Sequence, residues 1–219
     1  SGNFTIEGFF YVEGTGNGIT ASPAIDLSLG NASSNSSFFL NINHNAITGY
    51  FSDGSGWDQS STITSLDNAN QWVHVAWVRN GSTLTIYRNG TAIGTISSFL
   101  TLGDSTLNLQ LGHQGSESPT TWQGYMSNVR LVKGTAVYTS NFTPPTSALT
   151  AITNTKLLTC QSNRFVDNSA SAHAITAAGN TRVTPFSPLA TEAYDPAVNG
   201  GSATGSGTQY LTAASSSDF

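Results

Sequence analysis

Apolar and polar residues alternate along most of this 219-residue chain, with the period of two that is typical of β-strands. Phe4, Ile6, Phe10 and Val12 are separated by polar or smaller residues, and residues 72–79 repeat the pattern. No window of a dozen residues has the spacing of an amphipathic helix. A series of short strands of this kind predicts an all-β, antiparallel sandwich or barrel.

Pairs of turn residues predict how these strands are connected. Asn80-Gly81 separates residues 72–79 from Thr83–Arg88, and Asn89-Gly90 separates that run from Thr91–Ile96. Asn-Gly between two strand-like runs favours a type I′ hairpin, which needs positive φ at both central residues. Further strands are predicted at residues 38–43 and 46–51, joined by a turn about His44-Asn45, and at residues 107–111 and 125–132.

The strand series is interrupted at Thr143-Pro-Pro-Thr-Ser147, which divides the chain into residues 1–149 and 151–219. The second part has short strands predicted at residues 156–160, 164–168 and 173–176, and a closing strand about Tyr210-Leu211. About seventy residues with so few strands cannot bury a good core alone. This part must therefore pack on the earlier sheets of its own chain or on those of another copy.

Charge and cysteine content limit the partners of the chain. Only 9% of the residues are charged, the net charge is −5, and the seven Lys and Arg residues are scattered singly. Binding to nucleic acid is not expected, because neutralising phosphates needs clustered cations. No apolar run of 18 residues is present, so we predict no membrane-spanning helix. Cys160 has no partner for an intrachain disulfide, and we expect it to be a small buried apolar residue.

The acidic residues do not have the spacing of a catalytic pair. Glycoside hydrolysis needs two carboxylates that flank the scissile bond. Each of the four glutamates, Glu7, Glu13, Glu117 and Glu192, lacks a carboxylate two or four residues away. The chain also has no Gly-x-Ser-x-Gly motif, and its four histidines are not at metal-ligand spacing. We therefore predict that the protein is not an enzyme and has no catalytic residues.

The best candidate binding site is the loop Ser52-Asp-Gly-Ser-Gly-Trp-Asp-Gln59, in which Trp57 stands between Asp53 and Asp58. An aromatic face beside fixed polar groups is the combination that sugar binding requires. Asp53 and Asp58 could also bind Ca²⁺, although two carboxylates fall short of its six to eight oxygen ligands. The alternative is that Trp57 folds over the sheet edge and the aspartates cap turns. Trp122 is a second exposed-aromatic candidate for sugar binding, or a core residue at a strand end.

Several motifs resemble the concanavalin A-like, laminin-G-like jelly rolls that occur as modules in bacterial surface proteins and in phage or marine viral proteins. The resemblance rests on four sequences in this order: Phe4-Thr-Ile-Glu7, Trp72-Val-His-Val-Ala76, Leu84-Thr-Ile-Tyr-Arg-Asn-Gly90 and Gly124-Tyr-Met-Ser-Asn-Val-Arg-Leu131. It implies a two-sheet jelly-roll sandwich in which Glu7 is structural. We predict no cofactor, with calcium, which this family often binds, as the one alternative that the resemblance suggests.

The order of the motifs differs from that of the family. Strands such as Lys156-Leu-Leu158, Phe165-Val-Asp167 and Tyr210-Leu-Thr212 usually precede the Phe-Thr-Ile-Glu strand, but here they follow it. Joined tail to head, residues 210–219 and 1–12 also read as two strands separated by a polar turn. Either the chain is one period of a tandem array, which we favour, or the domain is circularly permuted. An array would bring Tyr210, Leu211 and Phe219 of one unit to Phe4 and Ile6 of the next.

We therefore predict a non-enzymatic extracellular module for structure or adhesion, located at a cell or virion surface. Its partners would be identical units, which share strands along a filament, adhesin or viral fibre. The alternative is a carbohydrate-binding domain for attachment to a host or a polysaccharide. A glycoside hydrolase is the least favoured of the three functions.

Overall fold

The computed structural model describes residues 2–14, 23–27, 37–113, 121–189, 202–204 and 210–212. All the regular secondary structure in these residues is β-strand, which confirms the predicted class. Within the described part, no helix is long and apolar enough to cross a membrane. The chain divides into two units, Ser1–Pro188 and Leu189–Phe219. The boundary expected between residues 149 and 151 does not coincide with this division.

The strands are numbered in chain order. They are β1 (Phe4–Val12), β2 (Pro23–Leu27), β3 (Phe38–Ile42), β4 (Ile47–Phe51), β5 (Gln59–Ile63), β6 (Trp72–Asn80), β7 (Thr83–Arg88), β8 (Thr91–Ile96), β9 (Gln110–Leu111), β10 (Gly124–Lys133), β11 (Thr155–Thr159), β12 (Ser202–Thr204) and β13 (Tyr210–Thr212).

The first unit is a sandwich of two antiparallel sheets. One sheet has six strands in the order β11-β10-β1-β6-β7-β8, and the other has five in the order β5-β4-β3-β2-β9. Strand β1 lies inside the six-stranded sheet, paired with β10 on one side and β6 on the other. This arrangement confirms the predicted jelly-roll sandwich.

The core lies between the two sheets and consists of the alternate residues that the sequence pattern had singled out. Trp77 of β6 and Phe10 of β1 are fully buried there, with ring centroids 6.3 Å apart in an edge-to-face contact. Each large side chain of this kind stabilises the fold by about 1.5–3 kcal/mol through removal of apolar surface from water. The five-stranded sheet contributes the buried residues Ile25, Phe38, Leu40, Ile42, Ile47 and Phe51.

The two Asn-Gly hairpins form, but their turns differ. Asn89 and Gly90 both have positive φ, 48° and 78°, as a type I′ turn requires. At the other hairpin only Gly81 has positive φ, 62°, and the turn residues are Gly81 and Ser82. Glycine thus stands at the first central position of this turn. The predicted type I′ turn at Asn80-Gly81 is wrong in two respects: the turn begins one residue later, and only one of its central residues has positive φ.

Residues 134–154, which we call the covering loop, cross the outer side of the six-stranded sheet. Ala136, Tyr138 and Phe142 of this loop pack against a small buried cluster that includes Tyr87. The rings of Tyr138 and Phe142 stack at 3.6 Å with an interplanar angle of 5°. Gly90 allows this close approach, because a Cβ at this position would lie 1.8 Å from the carbonyl oxygen of Phe142.

Three strand predictions in the later part of the sequence need correction. Residues 164–168 and 173–176 are not strands. Asp167 instead accepts hydrogen bonds from the backbone N–H groups of Leu158, Ser169 and His173 at 3.0, 2.9 and 2.9 Å, and thereby organises a turn. The strand expected at residues 107–111 is reduced to Gln110–Leu111.

Strand β11 completes the six-stranded sheet of its own chain beside β10. Strand β13 pairs with β12 in a separate two-stranded sheet, with Tyr210 opposite Thr204. The side chains of Phe4 and Ile6 are buried in the core, and both edges of β1 are occupied. The junction of Tyr210 and Leu211 with Phe4 and Ile6 of a neighbouring copy stays a prediction. Phe219 lies outside the described residues.

Candidate functional site

Side chains on β3, β4 and β5 that alternate with the core residues line the far side of the five-stranded sheet, where those on β3 and Thr48 of β4 are buried and those on β5 are exposed. In the ladder, Phe39 is opposite Tyr50 and Tyr50 is opposite Ser60. Asn41, Thr48 and Thr62 form the next row. We call these six residues the outer face: Phe39, Asn41, Thr48, Tyr50, Ser60 and Thr62.

Three aromatic rings form a row at one end of the outer face. Phe39 is buried and stacks on Tyr50, with centroids 5.9 Å apart and an interplanar angle of 11°. Tyr50 contacts Trp57 at 6.0 Å with a tilt of 51°. Tyr50 and Trp57 are both half-buried, so each ring is packed against the protein on one side and still reaches the surface. The exposed hydroxyl groups of Ser60 and Thr62 lie on the same face.

The loop between β4 and β5, which carries Trp57, is held by its own hydrogen bonds. Oδ2 of Asp58 accepts the backbone N–H of Asp53 at 2.9 Å. Oδ1 of Asp53 accepts the N–H and the hydroxyl of Ser55 at 3.0 and 2.7 Å. These bonds from Ser55 lower the pKa of Asp53 below its usual range. The loop backbone also touches Gly103, where a Cβ would lie 2.5 Å from the carbonyl oxygen of Asp53.

Both interpretations of this loop therefore describe part of the structure. Asp53 and Asp58 cap turns, as the alternative expected, and each uses one carboxylate oxygen to do so. Both aspartates are exposed, and Trp57 remains half-buried beside Tyr50. The loop carries all three residues that the sequence singled out, and their use as a sugar site stays a prediction. Sequence reasoning missed Tyr50 and Phe39; the signal was the aromatic pairs Phe38-Phe39 and Tyr50-Phe51, in which one ring of each pair must face away from the core.

Calcium binding by Asp53 and Asp58 stays a prediction. No group of three or more His, Cys, Asp or Glu side chains that could hold a metal ion occurs among the described residues. Ca²⁺ takes six to eight oxygen ligands, and the two carboxylates would supply few of them.

Trp122 is not part of this surface. Its ring packs against the core cluster and contacts Phe10 edge-to-face at 5.9 Å. Gly112 packs against Trp122, since a Cβ on Gly112 would be 3.2 Å from Cβ of Trp122. Trp122 is therefore a residue at the end of the core, which was the alternative to a role in sugar binding.

Trp72 and Trp77 are an odd number of residues apart in β6 and lie on opposite faces of the strand. Trp77 is in the core, whereas Trp72 packs with Tyr11 and Tyr125 on the outer side of the six-stranded sheet. Phe186, from the segment after β11, covers this group at centroid distances of 4.8–5.3 Å. Trp72 is thus held beneath a later part of the chain.

A second polar cluster lies on the outer side of the six-stranded sheet, beneath the covering loop. Oε1 of the Glu7 carboxylate accepts hydrogen bonds from Nε and Nη2 of Arg130, at 2.9 and 2.6 Å. Its Oε2 lies 3.1 Å from Nε2 of His74 and accepts the Tyr138 hydroxyl at 2.8 Å. Nη1 of Arg130 donates to the carbonyl oxygen of Thr150 at 2.9 Å. The cluster therefore ties three strands and the covering loop together.

The pKa of Glu7 reflects these partners. Burial alone would raise it, but the hydrogen bond from His74 and the positive charge of Arg130 outweigh burial and lower it below its usual range. Burial and the adjacent Glu7 charge raise the pKa of Tyr138. Both oxygens of Glu7 are engaged by protein groups, and none of these partners is a second carboxylate. Glu7 thus has the structural role that the family resemblance implied.

Neither Asp53 nor Glu7 has the raised pKa of a general acid. A general acid at neutral pH needs a raised pKa, and the pKa of Asp53 and the pKa of Glu7 are both lowered. Cys160 is also unsuited to nucleophilic chemistry, because burial raises its pKa to about 11.

Comparison with known proteins agrees with this architecture. The family model described as the concanavalin A-like lectin/glucanases superfamily, of laminin G type, matches residues 1–137. The chain belongs to this superfamily. No relative of this superfamily member is found among the curated proteins.

Solved structures give the same fold for this superfamily member. A candidate carbohydrate-binding protein from Bacteroides ovatus is 16% identical over 72% of the chain, with a TM-score of 0.54. The chain spans 45% of that protein. The CBM40 domain of the Ruminococcus gnavus IT-sialidase, bound to α2,3-sialyllactose, is 15% identical, with 57% of this chain and 72% of that chain covered and a TM-score of 0.45. Domains LG4-5 of mouse laminin α1 are 13% identical over 64% of this chain and 39% of that chain, with a TM-score of 0.44.

Proposed function

We propose that this chain is a non-enzymatic glycan-binding module that serves adhesion, and that it binds sugars at the outer face beside Trp57. The observation that carries the proposal is the contact of Tyr50 with Trp57 at 6.0 Å, beside the exposed carboxylates of Asp53 and Asp58 and the exposed hydroxyls of Ser60 and Thr62. Sugars have apolar C–H faces and polar edges, and they are held where an apolar platform meets fixed polar groups.

The roles of the residues follow from their positions. Tyr50 and Trp57 supply the rings on which the C–H face of a sugar packs. Asp53 and Asp58 are exposed, and their carboxylates accept sugar hydroxyls. Ser60 and Thr62 on β5 are exposed and offer hydroxyl groups across the ladder from Tyr50 and Thr48. The hydrogen bonds within the loop fix it before a ligand arrives, which reduces the entropy lost on binding.

Binding rather than hydrolysis is supported by the lowered pKa of Asp53 and by the enclosed position of Glu7. We further propose an extracellular location, at a cell or virion surface, where adhesion to glycans takes place. The membership of the lectin and glucanase superfamily supports this proposal.

A glycan array followed by isothermal titration calorimetry tests the function. We expect the intact chain to bind at least one class of glycan, and Trp57→Ala to abolish that binding while the protein stays folded. Phe165→Ala is the matched control, because Phe165 is an aromatic residue of the same unit that is 37% exposed and lies after β11, away from the outer face. Absence of binding by the intact chain, or unchanged binding by Trp57→Ala, would contradict the proposal.

We also propose self-assembly through the second unit. Strands β12 and β13 form a two-stranded sheet, and such a hairpin is marginally stable in water on its own. Docking on an open sheet edge of a neighbouring copy would stabilise it. That edge is not β1, whose two neighbours are in place, so a strand at the edge of one of the two sheets would have to serve. Light scattering over a range of protein concentrations tests this proposal: the mass should rise with concentration, and Leu211→Pro should prevent the rise. A constant monomer mass would contradict it.

A further inference from the structure

The distribution of positive charge bears on which sugars the outer face can accept, and the reasoning here rests on the function proposed above. The first Lys or Arg along the chain is Arg79, so β1 to β5 and the loop that carries Trp57 contain neither residue. Strand β9, the remaining strand of the five-stranded sheet, is Gln110–Leu111. The whole sheet beneath the candidate site is therefore without a cationic side chain of either type.

The seven Lys and Arg residues all lie in the six-stranded sheet or in the segment after it. Arg130 is committed to Glu7, and Arg88 donates Nε to Asn68 at 2.8 Å. Arg79 is buried, donates Nε to the Gly81 carbonyl at 2.9 Å and has its guanidinium 5.4 Å from the ring centroid of Phe99. The remaining four are Lys133, Lys156, Arg164 and Arg182. None of them lies on β3, β4 or β5.

The charges that are present beside the aromatic row are negative. Asp53 and Asp58 are exposed, and the hydrogen bonds from Ser55 keep Asp53 ionised well below neutral pH. His44, the only histidine of the β3–β5 region, is in the β3–β4 turn, at the opposite end of these strands from the loop. Sialic acids, uronic acids and sulfated sugars carry anionic groups, which are recognised by Arg and Lys and repelled by carboxylates. Hydroxyl groups need no cation, because a carboxylate oxygen accepts from them directly.

From this charge distribution we infer that the outer face selects uncharged glycans, and that Asp53 and Asp58 exclude their acidic counterparts. The ligand class is a neutral oligosaccharide or polysaccharide, packed on Tyr50 and Trp57 with its hydroxyls on the two aspartates. The site does not depend on ionic attraction, so binding is insensitive to salt.

The test is a glycan array with neutral, sialylated, uronic-acid and sulfated members, followed by titration of one neutral oligosaccharide and its sialylated derivative. We expect binding to neutral members, a loss of at least about fivefold on sialylation, and the same dissociation constant at low and high NaCl. In the Asp53→Asn/Asp58→Asn variant the ratio of the two dissociation constants should fall towards one, since asparagine keeps the turn acceptors but not the charge. Ser60→Lys, at an exposed edge position opposite Tyr50, should reduce the ratio independently.

The possible results separate this inference from the proposed function. Binding confined to acidic members, and lost in Trp57→Ala, would overturn the selection for neutral sugars and leave the glycan-binding function in place. Binding to neutral and acidic members with equal affinity would show that Asp53 and Asp58 do not exclude acidic glycans, and would also overturn the inference. Binding to no member would remove both the function and the inference.

Discussion

Glu7 on β1 and Arg130 on β10 are opposite each other in the six-stranded sheet, and Nη2 of Arg130 lies 2.6 Å from Oε1 of Glu7. Both residues are buried. A buried carboxylate is tolerated only where donors replace the water it has lost, and here Arg130, His74 and Tyr138 supply them. Because Tyr138 and the carbonyl of Thr150 belong to the covering loop, this pair also fixes the loop to the sheet.

Glu7→Gln should destabilise the fold by about 3–5 kcal/mol, because it leaves the Arg130 charge buried without its counter-ion. The midpoint of denaturant unfolding measures the effect. Glu13→Gln is the control: Glu13 is exposed, with only a 3.4 Å contact to the Tyr125 hydroxyl, and should change stability by less than about 0.5 kcal/mol. Equal midpoints for Glu7→Gln and the unchanged protein would show that the cluster does not hold the fold together.

The lowered pKa of Glu7 predicts how this contribution depends on pH. A carboxyl group with a folded pKa below its unfolded value, about 4.3 for Glu, stabilises the fold above that value and loses the effect as pH falls through the folded pKa. His74, Arg130 and Tyr138 are the titratable and charged groups that face it. The stability difference between the unchanged protein and Glu7→Gln should be constant above about pH 5 and shrink below about pH 4. A difference that grows on acidification would contradict this assignment.

Gly90 and Gly81 provide a matched pair for the covering loop. Both have positive φ, 78° and 62°, so alanine at either position costs about 1–2 kcal/mol of backbone strain. At Gly90 the new Cβ would also meet the carbonyl oxygen of Phe142, whereas nothing lies within 4 Å at Gly81. We expect Gly90→Ala to cost about 1–3 kcal/mol more than Gly81→Ala in denaturant unfolding. Equal losses for the two variants would mean that the loop does not pack against the hairpin.

Much of the fold could be predicted from the sequence, because period-two alternation and Asn-Gly turns are both determined by residues that are close together in the chain. The alternation placed Phe4, Ile6, Phe10 and Val12 in the core, and all four are buried there. The prediction of a strand at residues 165–167 was wrong because the acceptors that organise this segment belong to the side chain of Asp167. A strand and a turn organised by an Asp side chain have the same local sequence pattern. They differ only in which backbone N–H groups the folded chain brings to the carboxylate.

The candidate site was predictable only in part, for a similar reason. The loop composition pointed to Trp57, Asp53 and Asp58, since Gly-rich turns with an aromatic residue are visible in one window. Tyr50 was not singled out, because its position beside Trp57 depends on the register of β4. Trp122 could not be assigned from its neighbours in sequence, because its core contact with Phe10 joins residues far apart in the chain.

We expect that Asp53 and Asp58 by themselves do not bind Ca²⁺ tightly enough to stabilise the protein. Asp53 and Asp58 supply too few oxygens for a Ca²⁺ site, and each already caps a turn. A bound ion at 100 times its dissociation constant would add about 2.7 kcal/mol of stability, which is about 5–10 °C in Tm for a chain of this size. Thermal unfolding with EDTA and with millimolar CaCl₂ measures the difference. A rise in Tm with CaCl₂ that is lost in Asp53→Asn would establish the calcium site instead.

Sugar binding beside Trp57 can be followed at the indole N–H signals of the four tryptophans in ¹H–¹⁵N NMR spectra, assigned with single Trp→Phe variants. The glycan selected by the array is added stepwise. The signal of Trp57 should shift and saturate with the dissociation constant found by calorimetry, while that of Trp77, which is fully buried in the core, should stay in place. Saturable shifts at Trp72 or Trp122 with none at Trp57 would place the binding site elsewhere and contradict the account.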